Sequence, residues 1–304
     1  MAHVAIIILN YNTRDLLRAA VDSIFASATT HRLSVFVVDN ASTDGSADMV
    51  ASEFPAVRLI KADRNGGFAY GNNLALRELL DATPINRVDD EWFVMLLNPD
   101  ATLEPDSLEL LVGYLRAHPA VGAVGPRVLL PDGSLDLACR RSFPTPEVSF
   151  YRMTGLARLF PRSPRFGRYN LTYLDPLEET PVDSLVGAAM LVREQVVREV
   201  GLLDETFFMY GEDLDWCFRI KAYGWQIVYY PRAVVHHHKR AASTKRAVPS
   251  IRAFYDAMRI FHRKHYASRT PAVLNWLIGL GVSMKEAWTL GINLLRPPEH
   301  RKVS

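Results

Sequence analysis

The chain has 304 residues, 49% of them hydrophobic and 22% charged, which suits one large α/β domain with an appendage and excludes a disordered chain. A formal net charge of +2 excludes a protein that grips polyanions by total charge and leaves only local basic clusters to consider. The two cysteines, Cys139 and Cys217, form no CxxC pair, which excludes a disulfide framework or a cysteine zinc site and points to a reducing compartment.

Taken in chain order, His3–Leu9 is an apolar, β-branched run, the pattern of a strand buried on both faces of a parallel sheet. It lacks a basic leader and a cleavage site, so it reads as a strand and not a signal peptide, and a cytosolic protein is expected. Leu33–Asp39, Val57–Lys61 and Trp92–Asn98 read the same way. Helical spacing is predicted at Arg14–Ala28, Ser46–Glu53, Ala69–Asp81 and Asp106–His118. Alternation of this kind predicts a doubly wound α/β sheet, with ligands at the carboxyl ends of its strands. Asn10-Tyr11-Asn12, Asp39-Asn40 and Asn98-Pro99-Asp100 stand at those ends.

Residues 140–168 hold seven arginines, one acid and four prolines, the composition of a long excursion or lid outside the core. A strand is predicted at Val182–Val192, a helix at Asp213–Tyr223 and an extended segment at Gln226–His238. From Ile251 the tail is helical. Residues 270–284 carry no charge, but fifteen residues fall short of the roughly 20 that span a bilayer, so a packed or interfacial helix is expected.

Several clusters have the residue types that chemistry needs, each with a plainer alternative. Asp39 to Ser46 reads either as a turn with helix caps or as a carboxylate aimed at a base or ribose. Arg64 to Asn73, with Gly66 and Gly67 ahead of a helix, reads as a loop that lets backbone approach a phosphate, though it is neither GxGxxG nor a P-loop. Asn98-Pro99-Asp100 is either a strand-end turn or an oxygen-ligand site for a hard divalent cation. Glu212 and Asp213 open a helix whose dipole favours acids; one of them could instead serve as a general base for a hydroxyl, while Asp215 and Arg219 pair at four-residue spacing. In His236-His237-His238, alternation puts His236 and His238 on one face and His237 on the other, and one face could add a nitrogen ligand to a metal held by Asp100.

Taken in order, IIILNYN, VVDNASTDGS, RNGGFAYGNN, LLNPDA, VGAAMLVRE, GLLDETFFMYGEDLDWCFRIKAYGW and VVHHHKRAAS resemble family 2 glycosyltransferases, particularly the bacterial rhamnosyltransferase-like branch. The resemblance spans roughly residues 4–245. It implies a GT-A type mixed sheet over 1–245, with a nucleotide-sugar half at 1–130, an acceptor half at 131–245 and a helical C-terminal region at 246–304. It places Asn10, Tyr11, Asn12, Asp39, Asn65, Gly66 and Asn73 in the donor site. Asn98 and Asp100 stand where the family has a DxD motif, with Asn in the first position. Asp213 falls on the catalytic base; Gly187, Ala188 and Glu212 fall on the acceptor side. Asp100 with His238 or His236, His238 preferred, would hold Mg²⁺ or Mn²⁺. The implied reaction is an inverting, metal-dependent transfer from a nucleotide-diphosphate sugar, dTDP-rhamnose or, next, a hexose on UDP, to a saccharide or lipid-linked acceptor of the cell envelope. An acceptor at the inner face of the plasma membrane is expected from local charge, since the 140–168 arginines, Lys239, Arg240, Lys245, Arg246, Arg252, Arg259, Arg263 and Lys264 would attract anionic lipid, with a solvated basic surface as the plainer alternative. A sugar nucleotidyltransferase would need a glycine-rich loop after the first strand, where Asn10-Tyr-Asn-Thr-Arg stands, and a non-catalytic sugar-nucleotide or glycan-binding module would predict a damaged carboxylate set.

Overall fold

The structure, a computed structural model, describes residues 1–82, 91–238 and 247–296. The chain begins β1 (His3–Asn10), α1 (Arg14–Phe25), β2 (Arg32–Asp39), α2 (Ser46–Glu53), β3 (Arg58–Lys61), α3 (Gly67–Ala82) and β4 (Trp92–Leu97). It continues through β5 (Ala101–Leu103), α4 (Ser107–Ala117), β6 (Val121–Leu129), α5 (Pro146–Met153), α6 (Leu156–Leu159), β7 (Thr180–Pro181) and β8 (Ala189–Arg193). It ends α7 (Glu194–Val200), α8 (Glu212–Ala222), β9 (Gln226–His237), α9 (Ala247–His265) and α10 (Ala272–Leu294).

One mixed sheet holds the strands in the order β3-β2-β1-β4-β8-β6-β9-β5, with β7 on β9. The first four run parallel. β8 is antiparallel to both β4 and β6, and β9 is parallel to β6. β1 and β4 are buried almost throughout because helices cover the sheet: α3 lies on β1 and β2, α4 on β6, β8 and β9, and α7 on β4 and β8. This direction pattern brings the carboxyl ends of β1, β2, β4, β6 and β9 to the same edge as the amino end of β8, where the polar clusters sit.

Several parts of the fold differ from expectation, among them β5, β7 and α7, which were not predicted. β6 has no counterpart among the predicted strands, because Gly122, Gly125 and Pro126 interrupt its apolar run; its register on β9 shifts at Pro126/Arg127, the kind of irregularity that tolerates a proline in a sheet. β8 begins at Ala189 and not Val182, since residues 184–188 leave the ladder to approach Arg141 and Asp213. The segment 140–168 is also not wholly an excursion. Arg140 and Arg141 are buried, and α5 and α6 follow them.

Candidate active site

Asn10 ends β1 and is fully buried. Its amide donates to Asp39 Oδ1 at 3.0 Å and to Ser42 Oγ at 3.1 Å, and its carbonyl oxygen accepts from Thr13 Oγ1 at 2.7 Å. Asp39 Oδ2 accepts from the Ser42 backbone N–H at 3.0 Å. The Asp39 carboxylate is therefore fixed at the end of β2, with further acceptor capacity on both oxygens. Asn12 adopts φ 55° and accepts from the Thr43 N–H at 2.8 Å, which locks the turn after β1 to the turn after β2. The helix-capping alternative for this cluster is taken up by Asp44, which accepts from the Arg14 and Ser46 N–H groups. Tyr11 is half-buried beside them.

The glycine loop is tied to the same edge. Asn40 Nδ2 donates to Asn65 Oδ1 at 2.9 Å, and Asn40 Oδ1 accepts from the Gly66 N–H at 3.2 Å. Gly67 has φ +90°, and a Cβ there would collide with the Phe208 carbonyl, so only glycine fits. The next residue, Phe68, donates its N–H to Phe208 O at 2.8 Å. Asn73, buried on α3, is tied to the segment before α8. Its side chain bonds Leu203 O, Leu203 N and Glu205 Oε1, and so holds α3 to the 203–205 loop.

Asn98 follows β4 and donates its backbone N–H to Ala188 O at 2.9 Å. Gly187, one residue earlier, donates its N–H to Asp213 Oδ2 at 3.1 Å. Asn98-Pro99-Asp100 and Asp213 thus share one stretch of the 187–188 backbone. Asp213 Oδ2 also accepts from Arg141 Nη2 at 2.8 Å, with both side chains about nine-tenths buried. Arg141 Nη2 further contacts Ser184 Oγ at 3.2 Å and Leu185 O. Sequence reasoning missed Arg141 because its neighbours suggested a solvated lid.

Glu212 is buried beside Asp213, and its Oε2 has no hydrogen-bond partner among the described residues. Burial, and then the Asp213 charge, push its carboxyl up to about 8. Asp215 sits in the opposite environment. Burial alone would raise it, but bonds from His265, Lys264 and Arg219 outweigh burial and bring it down to about 2.

Of the three histidines, the middle one meets Asp100. His237 Nε2 lies 3.2 Å from Asp100 Oδ1 and 3.3 Å from Asn98 Nδ2, while Nδ1 lies 3.3 Å from Asp136 Oδ2. His236 turns to the other face and pairs with Glu104 at 2.6 Å, and the His238 side chain is exposed. Strand alternation separated the faces as expected; the buried face belongs to His237, whose ring meets Asp100, while His238 donates its backbone N–H to Asp100 O at 2.8 Å and keeps its side chain exposed. Burial would lower the His237 imidazolium, but the bonds to Asp100 and Asp136 outweigh it and hold it up at about 9. No group of three or more histidine, cysteine or acidic side chains among the described residues could enclose an ion alone. Asp100 and His237 do fit an open site of one carboxylate and one imidazole, finished by phosphate and water. Asp136 would then fix the imidazole tautomer through Nδ1–H.

Comparison with known proteins identifies the family and the fold. The profile described as glycosyltransferase like family 2 matches residues 2–253. The chain is 31% identical over 253 residues to the N-acetylglucosaminyl-diphospho-decaprenol L-rhamnosyltransferase of Mycobacterium tuberculosis, covering 83% of this chain and 81% of that protein. It is 29% identical over 188 residues to rhamnosyltransferase WbbL of Escherichia coli, covering 59% and 65%. In fold it is similar to the mannosyltransferase PcManGT of Pyrobaculum calidifontis in complex with GDP-Man and Mn²⁺, with a TM-score of 0.54 at 20% identity over 95% of this chain and 75% of that one. GalNAc-T7 with UDP, GalNAc and Mn²⁺ gives a TM-score of 0.58 at 12% identity, over 100% of this chain and 58% of that one. The chain is a family 2 glycosyltransferase of the GT-A fold, rhamnosyltransferase-like in sequence.

Proposed function

We propose that the protein transfers a sugar, rhamnose from dTDP-rhamnose first, to a hydroxyl of a lipid-linked saccharide in cell-envelope glycan synthesis, with inversion at the anomeric carbon. The observation that carries this reading is the shared backbone of Asn98, Gly187 and Ala188, which sets the Asp100 carboxylate and the Asp213 carboxylate on one edge of the sheet. Asp39 and the Asn40-held glycine loop provide acceptors for the nucleoside and backbone for the phosphates. Asp213 acts as general base: it takes the acceptor proton as the hydroxyl oxygen bonds the anomeric carbon and the bond to the diphosphate breaks on the opposite face. Asp100 and His237 would hold Mg²⁺ or Mn²⁺, which offsets the charge growing on the departing diphosphate.

Support for a lipid-linked acceptor comes from the named activity of the mycobacterial relative and from the tail. No helix among the described residues is long and apolar enough to cross a membrane, so contact with a bilayer would be peripheral, at its cytoplasmic face. Basic residues in the second half of the chain would favour an anionic lipid surface; of these, Lys239, Arg240, Lys245 and Arg246 lie outside the described residues. Arg152 and Arg165 are partly engaged by the rings of Tyr169 and Tyr151, whereas Arg158, Arg162 and Arg168, and Arg252 and Arg263 on α9, are exposed.

The test is release of nucleoside diphosphate from a panel of nucleotide sugars with and without Mn²⁺. Turnover of dTDP-rhamnose that requires a divalent ion and vanishes in Asp213→Asn, with donor binding retained, is the expected result. Loss of donor binding in that variant would move Asp213 into the donor pocket and out of the base role.

A further inference from the structure

A groove of about 500 Å³ lies between α9 and the segment 206–209. Phe207, Phe208 and Met209 form one wall, and Arg252, Arg259 and Arg263 stand on the α9 side. Arg259 is already neutralised by Asp256 and Glu286. Arg252 and Arg263 are exposed and have no ion-pair partner among the described residues. They are eleven residues apart, which places them on one face of the helix about 16 Å apart at Cα. Two uncommitted guanidinium groups at the ends of a half-apolar groove suit a ligand with a multiply charged anionic head and an apolar body.

The wall of this groove is shared with the active site. Phe208 O, on its far side, accepts from the Phe68 N–H of the glycine loop. Met209 lies four residues before Asp213, so even a fully extended chain sets them within about 14 Å of each other. The Phe207 ring lies against the backbone of Gly211, where α8 begins.

The adjoining side of α9 carries α10. The two are joined by Tyr255 to Thr289 at 2.7 Å, His262 to Asn275 at 2.7 Å and Arg259 to Glu286. With that face occupied, α10 leaves Val273, Trp276, Leu277, Leu280, Met284 and Trp288 exposed. The stripe from Val273 to Trp288 is about 23 Å long at helical rise. Apolar stripes of this length with tryptophans near both ends are the mark of a helix lying in a lipid interface.

We propose that the Arg252–Arg263 groove is the port for the diphosphate of a polyisoprenoid-linked acceptor, with α10 lying in the bilayer that holds its lipid tail. The proposal rests on the transfer reading above for its acceptor and deepens it. The diphosphate lies between the two arginines, and the attached sugar passes the 206–209 wall towards Asp213. The lipid leaves the groove on the α10 side.

Calorimetric titration of the full chain with farnesyl diphosphate tests it, because that probe has the head and a short tail but no sugar. The expected result is saturable binding that weakens at least tenfold in Arg252→Glu/Arg263→Glu, with an unchanged thermal melt. Farnesol should bind at least tenfold more weakly than farnesyl diphosphate. Unchanged affinity in the double variant overturns the port. Displacement of farnesyl diphosphate by UDP or dTDP also overturns it, by placing the probe in the donor pocket. Inorganic pyrophosphate binding as tightly as farnesyl diphosphate overturns the lipid assignment. Failure of the transfer reading is separate: arginine-dependent probe binding without nucleotide-sugar turnover would keep the port and sink the transferase assignment.

Discussion

Arg141 and Asp213 meet at 2.8 Å across 72 residues of sequence, both almost wholly out of water. A buried pair of this kind gives little net stability when intact, yet is costly to break, because the remaining charge stays buried alone. Arg141→Met should therefore lower the unfolding free energy by about 3–5 kcal/mol. Arg141→Met combined with Asp213→Asn should recover a large part of that loss. Urea unfolding of the wild type, the two single variants and the double variant measures the coupling. Additive losses would mean that the two side chains do not depend on each other.

The metal assignment separates the three adjacent histidines. His237 is buried between Asp100 and Asp136, whereas His236 faces Glu104 and His238 faces solvent. Asp136→Asn should weaken Mn²⁺ binding in the presence of nucleoside diphosphate by about 10–100-fold, as a change in an imidazole's supporting partner does, and His237→Ala, which removes the ligand itself, should weaken it more. His236→Ala and His238→Ala should leave it within a factor of two or three. Calorimetric Mn²⁺ titration of the four variants checks this, and a large effect confined to His238→Ala would restore the other strand face.

How much of this was legible beforehand depended on local signals. β1, β2 and β4 announced themselves because strands covered on both faces are continuous apolar runs, and α2 was found to the residue from Ser46 to Glu53. Asp39, Asp100 and Asp213 stood out because each ends a strand or opens a helix. Arg141 did not, since nothing in a run of arginines and prolines tells which of them turns inward; that is decided by Ser184 and Asp213, far along the chain. Nor did Asp136, whose role exists only because β9 brings His237 to it. In the histidine triplet, alternation gave the parity but not the sign, because the sign depends on how β9 pairs with β5 and β6.

Two acids three residues apart on α8 should respond to pH in opposite directions. Asp215 is held at about 2, against an ordinary 3.8, by His265, Lys264 and Arg219. Its contribution is present above pH 4 and is lost as pH falls through about 2; a depression of nearly two units corresponds to roughly 2 kcal/mol. Glu212 is raised from 4.5 to about 8, so the folded protein binds the extra proton between those values and stability falls as pH rises across that window. Unfolding free energies measured from pH 2 to 9 should show both slopes. Asp215→Asn should flatten the acid limb, and Glu212→Gln should flatten the decline towards pH 8. A Glu212→Gln profile identical to wild type would mean that Glu212 takes up its proton at the same pH in the folded and the unfolded chain.

The closest coupling between the donor loop and the base-bearing segment runs through Gly67. Its φ of +90° is strained for any residue with a side chain, and an added Cβ would overlap the Phe208 carbonyl that accepts from the Phe68 N–H. Backbone cannot swing aside as a long side chain can, so Gly67→Ala must shift either the glycine loop or residues 207–208. The expected cost is about 2 kcal/mol or more, from the αL penalty and the broken bond. A shift of the loop disturbs Asn40 and Asn65, which hold Gly66 and Gly67 at the end of β2; a shift of 207–208 disturbs the groove wall instead. Nucleoside-diphosphate affinity and farnesyl diphosphate affinity, measured on Gly67→Ala, tell these apart. Gly45→Ala serves as the control: it also has positive φ, at +80°, but no atom stands within 4 Å of its Cβ, so it should lose stability through backbone strain alone and keep both affinities. If Gly67→Ala behaves like Gly45→Ala, the Phe208 contact does not join the two halves of the site.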